Sequence, residues 1–256
     1  MPHWALHAIP SIPLLAGKFS NPSKLFMPTD IQTRSFRKQR RVIGYLGFLL
    51  PIVLMIPSCF SEYVVLQHSI SHYYYTNLRD IFTGTLCAVG LFLISYQGHK
   101  SPLWWRNDHL LTNIAGIMAF GVALIPTNPE TPTDKIHTLI PIDQPILGWI
   151  HLGFAACLFS IFALLSLSVF TLGQNRDAGI PKSMLDENNI YCTCGIIILL
   201  CIIGIPISEA LFPDFDYFVF IYEAIALFAF GTSWLTKGRA LGDKGTIGRI
   251  LYGEKH

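Results

Sequence analysis

Charge is what this chain has least of. Lys, Arg, Asp and Glu together supply 13% of its 256 residues, whereas 52% are hydrophobic. A soluble domain carries roughly 25% charged residues, so the deficit points to a polytopic membrane protein. The net charge of +2 lacks the basic excess of a nucleic-acid binder, and nucleic acid is excluded as a partner. Cysteine is sparse and unpaired in pattern. Cys59, Cys87, Cys157 and Cys201 fall inside apolar runs, where they act as small hydrophobes, and Cys192-Thr193-Cys194 is too tightly spaced for a zinc knuckle and has no second pair. A secretory signal is missing too. Such a signal puts its positive charges ahead of its apolar stretch, but here the weakly apolar residues 9–16 precede Arg34, Arg37, Lys38, Arg40 and Arg41.

Long apolar runs are present instead, at about 43–60, 81–97, 110–126, 148–172, 191–207 and 217–236. Each approaches the roughly 20 residues a helix needs to cross about 30 Å of hydrocarbon. A spanning segment must satisfy its backbone internally, so each is expected to be helical. Pro51, Pro57 and Pro206 should kink these helices or end them. The expected fold is therefore all-α, a polytopic bundle of six transmembrane helices over residues 42–238. A basic tail without persistent order should precede it at 1–41, and a second tail should follow at 239–256. Met27 is a second candidate start, which would remove most of the first tail.

Basic residues flank alternate ends of the runs. They precede the first, follow the second (His99, Lys100, Arg106) and the fourth (Arg176, Lys182), and fill the C-terminal tail, while Glu130, Asp134, Asp143, Glu209, Asp214 and Asp216 mark the other side. The positive-inside rule then puts both termini in the cytoplasm. Trp104, Trp105 and Trp149 fall where an aromatic belt would.

The polar residues gather in one stretch, Ser69-Ile70-Ser71-His72-Tyr73-Tyr74-Tyr75-Thr76-Asn77-Leu78-Arg79-Asp80, which faces outward at the mouth of the second helix. If the chain is helical from Tyr73, then Tyr73, Asn77, Asp80 and Gly84 share a face, and that face should turn into the bundle because lipid would not tolerate it. His151, Asn128, Glu209 and Glu223 reach the same depth from other runs. Glu223 lies inside a span, where a carboxylate costs on the order of 2.5–3.5 kcal/mol. It should be paired, protonated or beside water, and Arg79 is its natural partner.

Several chemistries fit this constellation. The reading favoured here is a pocket for a membrane-lipid headgroup or another small amphiphile, bound by Ser69, Ser71, His72, Tyr73, Arg79, Asp80, His151 and Glu223. His68 and His72 stand four residues apart, the spacing that sets two imidazoles on one helix face for zinc. With His151 and Asp80 or Glu223 they would make a hydrolytic metal centre. A lipid hydrolase or transferase could also use His151, Asp80 or Glu223 in acid/base catalysis, or Ser69 or Ser71 as nucleophile with His72 or His151, although no Gly-x-Ser-x-Gly elbow surrounds either serine. An intramembrane Glu223 also suits a proton-coupled transporter. The plain structural alternatives are an Arg79 ion pair that fixes helix docking, an aromatic belt for the tyrosines, and helix capping by Ser69 and Ser71. Assembly with a second copy, or as a structural subunit of a membrane complex, stays open.

The run Ser69-Ile70-Ser71, with Tyr73-Tyr74, Arg79-Asp80-Ile81-Phe82, Gly84 and Leu86-Cys87, resembles a bacterial family of multi-pass membrane proteins of unknown function. So do Asn113-Ile114-Ala115-Gly116, residues 123–127, His151, and Glu223 leading to residues 230–238. The likeness covers about residues 41–239 and implies a six-helix fold in the bacterial inner membrane. More distantly, the layout is similar to DRAM and Frag-type membrane proteins. Membrane hydrolases of the alkaline-ceramidase and adiponectin-receptor type are a poorer likeness. They have seven spans and a last-helix HxxxH pair, whereas the last run here carries Glu223 and no histidine.

Overall fold

A computed structural model describes residues 30–60, 65–129, 145–172 and 187–240. Among these described residues the chain is all-helical, with no strand. The elements are α1 (Asp30–Phe60), a 3-10 helix (Ser71–Tyr75), α2 (Arg79–Ser95), a short 3-10 turn (Trp104–Arg106), α3 (Asp108–Leu124), α4 (Pro145–Leu164), α5 (Glu187–Leu211) and α6 (Phe218–Lys237). A π-helical turn, Leu165–Val169, continues α4. Each apolar run read from the sequence falls on one α-helix. Four of them, α1, α4, α5 and α6, are long and apolar enough to cross a membrane. The other two, α2 and α3, have 17 residues each, about 26 Å of helix.

Each helix packs on the next in sequence, and α6 closes back on α1. The result is a ring of helices running alternately up and down, the arrangement that short connections between apolar helices favour. Glycines let two of these pairs come close. A Cβ on Gly231 would sit 2.8 Å from the Gly44 carbonyl oxygen, and one on Gly116 would sit 2.7 Å from the Gly90 carbonyl oxygen. Small residues allow such backbone approach where hydrocarbon gives no hydrophobic drive to association. Large apolar side chains face outward all round the ring, among them Leu49, Leu91, Ile117, Leu152, Leu200 and Ile225. An apolar exterior on every helix suits a lipid environment and would be an aggregation hazard in water.

At one end of the ring the basic residues tie helices together. Arg40 donates from Nε and Nη2 to the Tyr96 hydroxyl (3.0 and 2.7 Å), which donates in turn to Asp108 Oδ2 at 3.1 Å. Arg41 donates to the carbonyls of Gly238 and Arg239, both at 2.7 Å, and Lys237 donates to the Phe170 carbonyl at 3.0 Å. These bonds correct one expected boundary. Residues 30–41 belong to α1 rather than to a tail, and Arg40 and Arg41 are anchored on Tyr96 and on the carbonyls that follow α6. Residues 1–29 and 241–256, the remaining tail segments, lie outside the described residues. Pro51, Pro57 and Pro206 sit inside α1 and α5, which continue past them.

Candidate polar site at the head of an apolar cavity

At the other end of the ring, the segment between α1 and α2 folds over the helices. Its 3-10 helix spans only Ser71–Tyr75 and ends where Thr76 turns extended. The polar face expected to run from Tyr73 through Asn77 and Asp80 is therefore interrupted. Asn77 and Asp80 are exposed, and Asp80 lies in the first turn of α2, where a carboxylate complements the helix dipole. It does not join the buried polar groups.

The tyrosines are not a belt. Tyr73 and Tyr74 are buried in the core, since the tight 3-10 turn directs them down between the helices. The Tyr73 hydroxyl shares a hydrogen bond with Ser58 Oγ at 3.0 Å. The Arg79 guanidinium lies 4.4 Å from the centre of the Tyr74 ring and donates to its hydroxyl at 3.0 Å. Tyr75 donates its hydroxyl hydrogen to the Thr127 carbonyl. Burial foremost, and then Tyr74 beside it, push the Tyr75 phenol up to about 12 against the opposing pull of Arg79, so Tyr75 remains a donor at any physiological pH.

Glu223 meets backbone instead of the expected arginine. Its Oε2 accepts the Ile70 amide at 2.6 Å, and the Ser71 amide is directed at the same carboxylate. The first amides of a 3-10 helix have no partner within the helix, and Glu223 reaches in from α6 to satisfy them. A second bond joins the same two elements, from the Phe220 amide to the His68 carbonyl at 2.9 Å.

Ser71 also holds His151. The Nδ1 of His151 is 2.6 Å from the Ile125 carbonyl oxygen, and Nε2 is 2.9 Å from Ser71 Oγ. A carbonyl only accepts, so Nδ1 carries a proton, and in the neutral imidazole Nε2 is then the acceptor for the Ser71 hydroxyl. Both residues are buried. The 3-10 helix has Ile70 at its cap position and no side-chain cap bond; Ser69 Oγ, one residue earlier, accepts the His72 amide at 3.2 Å and also bonds His72 Nδ1 at 2.6 Å, while Ser71 Oγ meets His151.

The zinc arrangement needs His68 and His72 on one helix face. The 3-10 helix starts only at Ser71, so they are not placed that way. His68 meets the Tyr217 ring edge-on at 5.6 Å, His72 bonds Ser69, and both nitrogens of His151 are engaged. Among the described residues no three His, Cys, Asp or Glu side chains are grouped to hold a metal. Asn128 and Glu209, also expected at this depth, are exposed.

Directly beneath Ile70 and Ser71 lies a cavity lined by α1, α2, α3, α4 and α6, with room for the centre of a water molecule over about 40 Å³. Leu50, Phe82, Leu86, Leu158, Phe162 and Leu227 are among its apolar walls, and Ser71 and Glu223 supply its polar groups. Its floor is the stacked pair Phe162 and Phe230, with ring centroids 3.8 Å apart. One end is thus polar and the rest hydrocarbon-like.

Sequence reading missed the backbone groups that complete the site, the amides of Ile70 and Ser71 and the carbonyls of Ile125 and Thr127, because no side-chain pattern signals them. It also passed over Tyr96 and Asp108, whose signal was available: both are polar residues at the ends of apolar runs. No protein-family model, characterised protein or solved structure matches this chain.

Proposed function

We propose that this chain is a six-span protein of the bacterial cytoplasmic membrane, with both termini cytoplasmic, that binds a single-chain amphiphile or one chain of a membrane lipid in the cavity below Ser71. The carrying observation is the polarity of that cavity, whose walls are apolar except at Ser71 and Glu223. Ligand pockets have this character, mostly apolar with a few convergent polar groups that fix orientation. The hydrocarbon would lie among Leu86, Leu158 and Leu227, and a hydroxyl or amine of the head would meet Glu223 and the Ser71–His151 pair. Arg79, His72 and Tyr73 do not line the cavity and would act on a head through Tyr74, Ser69 and Ser58, which they bond. The exposed side chain of Asp80 suits a contact with a headgroup outside the bundle.

The expected orientation has the basic end in the cytoplasm, where Arg34, Arg37, Lys100, Arg106 and Lys237 follow the positive-inside rule. A green fluorescent protein fused at the C-terminus should fluoresce, and alkaline phosphatase fused there should stay inactive. The reverse result would overturn the orientation. Ligand binding is tested by native mass spectrometry of the purified chain. A lipid or fatty acid should co-purify with the wild type and be lost in Leu86→Trp, which fills the cavity. Retention in that variant would refute binding at this place.

The Ser71–His151 bond favours a second reading, hydrolysis or transfer of an acyl ester. A serine hydroxyl donating to an oriented imidazole is the arrangement that activates a nucleophile. Labelling of Ser71 by a fluorophosphonate, abolished in Ser71→Ala and in His151→Ala, would support it. An unlabelled protein that still carries lipid would leave binding alone.

A further inference from the structure

The cavity shares two of its wall residues with a groove on the outside of the ring. Leu46 and Leu50 line both. The groove runs between α1 and α2 and is completed by Tyr45, Leu49, Val53, Ile81 and Thr85, with room for water-molecule centres over about 230 Å³. Tyr45, Leu49, Val53 and Ile81 are exposed on this face. Tyr45, Leu49 and Val53 sit from the middle of the α1 span toward its Ser58 end, a depth that belongs to hydrocarbon if α1 crosses the membrane, and Ile81 faces them from the first turn of α2.

The partition between groove and cavity also carries one of the two prolines inside α1, Pro51. Pro51 has no amide hydrogen, so the Gly47 carbonyl lacks the donor that the fourth residue onward would supply. Gly47 faces the cavity, and a side chain there would run into the Phe230 ring. A helix short of one hydrogen bond and one side chain bends more readily than a regular one, and Leu46 and Leu50 are carried on that segment. The cavity's other approach, from the end of the ring, is covered by the Ser69–Tyr75 segment. That segment is held by Glu223, by His151, by Ser58 through Tyr73 and by Thr127 through Tyr75.

We propose that the α1–α2 groove is a lateral portal, and that an acyl chain of a phospholipid in the leaflet away from the basic end occupies it and passes between Leu46 and Leu50 into the cavity. The proposal rests on the cavity being a ligand site, and names the ligand's source as the bilayer. The occupant follows from the wall that the two spaces share, Leu46 and Leu50, and from its chemistry. A groove at this depth meets lipid chains first, and its shared residues offer an apolar surface with no polar group to desolvate.

The test uses the full chain in vesicles of phosphatidylethanolamine and phosphatidylglycerol, doped with a phosphatidylglycerol carrying a diazirine on one acyl chain. After illumination, mass spectrometry should find label on groove peptides around Leu49 and on cavity peptides containing Phe162 or Leu227. Val53→Trp and Ile81→Trp block the groove from opposite helices without touching the cavity wall. In these variants, with helicity and thermal midpoint unchanged, the cavity label should be lost. If both retain the cavity label, the portal is overturned while the cavity reading survives. Absence of cavity label in the wild type, together with no co-purified lipid, would refute the cavity reading and this proposal with it. A groove covered by a second copy, seen as a dimer in native mass spectrometry and as missing groove label, would overturn the portal alone.

Discussion

Glu223 and Ile70 stand 153 residues apart in the chain and meet through a 2.6 Å bond from the Ile70 amide to the Glu223 carboxylate. An acidic side chain inside α6 thereby caps a 3-10 helix that belongs to the α1–α2 connection. The cost of burying that carboxylate is offset by amides that would otherwise be unpartnered, which is a reason for an intramembrane glutamate that needs no cationic partner.

Replacing Glu223 therefore tests packing and ligand chemistry separately. Glu223→Ala leaves the Ile70 and Ser71 amides without an acceptor and should destabilise the protein by about 1–3 kcal/mol. Glu223→Gln retains an acceptor oxygen and should lose less. Thermal unfolding in detergent, followed by circular dichroism, reads the difference. Equal losses would show that the charge, and not the hydrogen bond, is what matters.

Ser71 and His151 should behave as a coupled pair. Ser71→Ala leaves Nε2 without its donor, whereas His151→Ala orphans both the Ser71 hydroxyl and the Ile125 carbonyl. The single changes should each be destabilising and the double change clearly less than additive, with a coupling of about 0.6–1.5 kcal/mol. Additive losses would mean that the 2.9 Å bond contributes nothing.

Two kinds of glycine should respond in opposite directions. At Gly231 a Cβ would lie 2.6 Å from Phe48 Cβ, so Gly231→Ala must push α6 away from α1 and should cost about 1–3 kcal/mol. At Gly84 a Cβ meets no atom within 4 Å, and Gly84→Ala should stabilise α2 by up to about 1 kcal/mol through helix propensity. Thermal midpoints of the two variants falling on the same side of wild type would contradict the close α1–α6 crossing.

The basic end depends on one phenol. Tyr96 links Arg40 to Asp108, and its burial, reinforced by Asp108, holds it protonated well above the ordinary tyrosine range. Tyr96→Phe leaves the buried Asp108, whose Oδ1 already has no hydrogen-bond partner among the described residues, without its hydroxyl donor. A loss of about 1.5–3 kcal/mol is expected. Adding Asp108→Asn should restore part of it by removing the buried charge. No recovery in the double variant would argue against the linkage.

Much of this was legible in the chain itself. Each apolar run fell on one α-helix of the described residues, because a segment of nearly 20 apolar residues has few alternatives to helix, and the low charge called for an apolar exterior, which the ring displays. The stretch from Ser69 to Asp80 and the distant residues His151 and Glu223 were picked out as one polar group, since polar side chains beside such runs need company. Their partners were a different matter. Helical periodicity from Tyr73 predicted one inward face of Tyr73, Asn77, Asp80 and Gly84, but the 3-10 turn stops at Tyr75 and the helix restarts at Arg79, which keeps Tyr73 in the core and leaves Asn77 and Asp80 exposed. Charge complementarity suggested Arg79 for Glu223, yet backbone amides at a helix start satisfy a carboxylate as well as a cation does, and they carry no letter in the sequence. The composition and its periodicity thus determined a helical protein with an apolar exterior and a cluster of polar residues at one end. The packing of the ring decided which polar atoms meet and where the cavity lies, because both depend on contacts between segments far apart in the chain, 80 residues for Ser71 with His151 and 153 for Ile70 with Glu223.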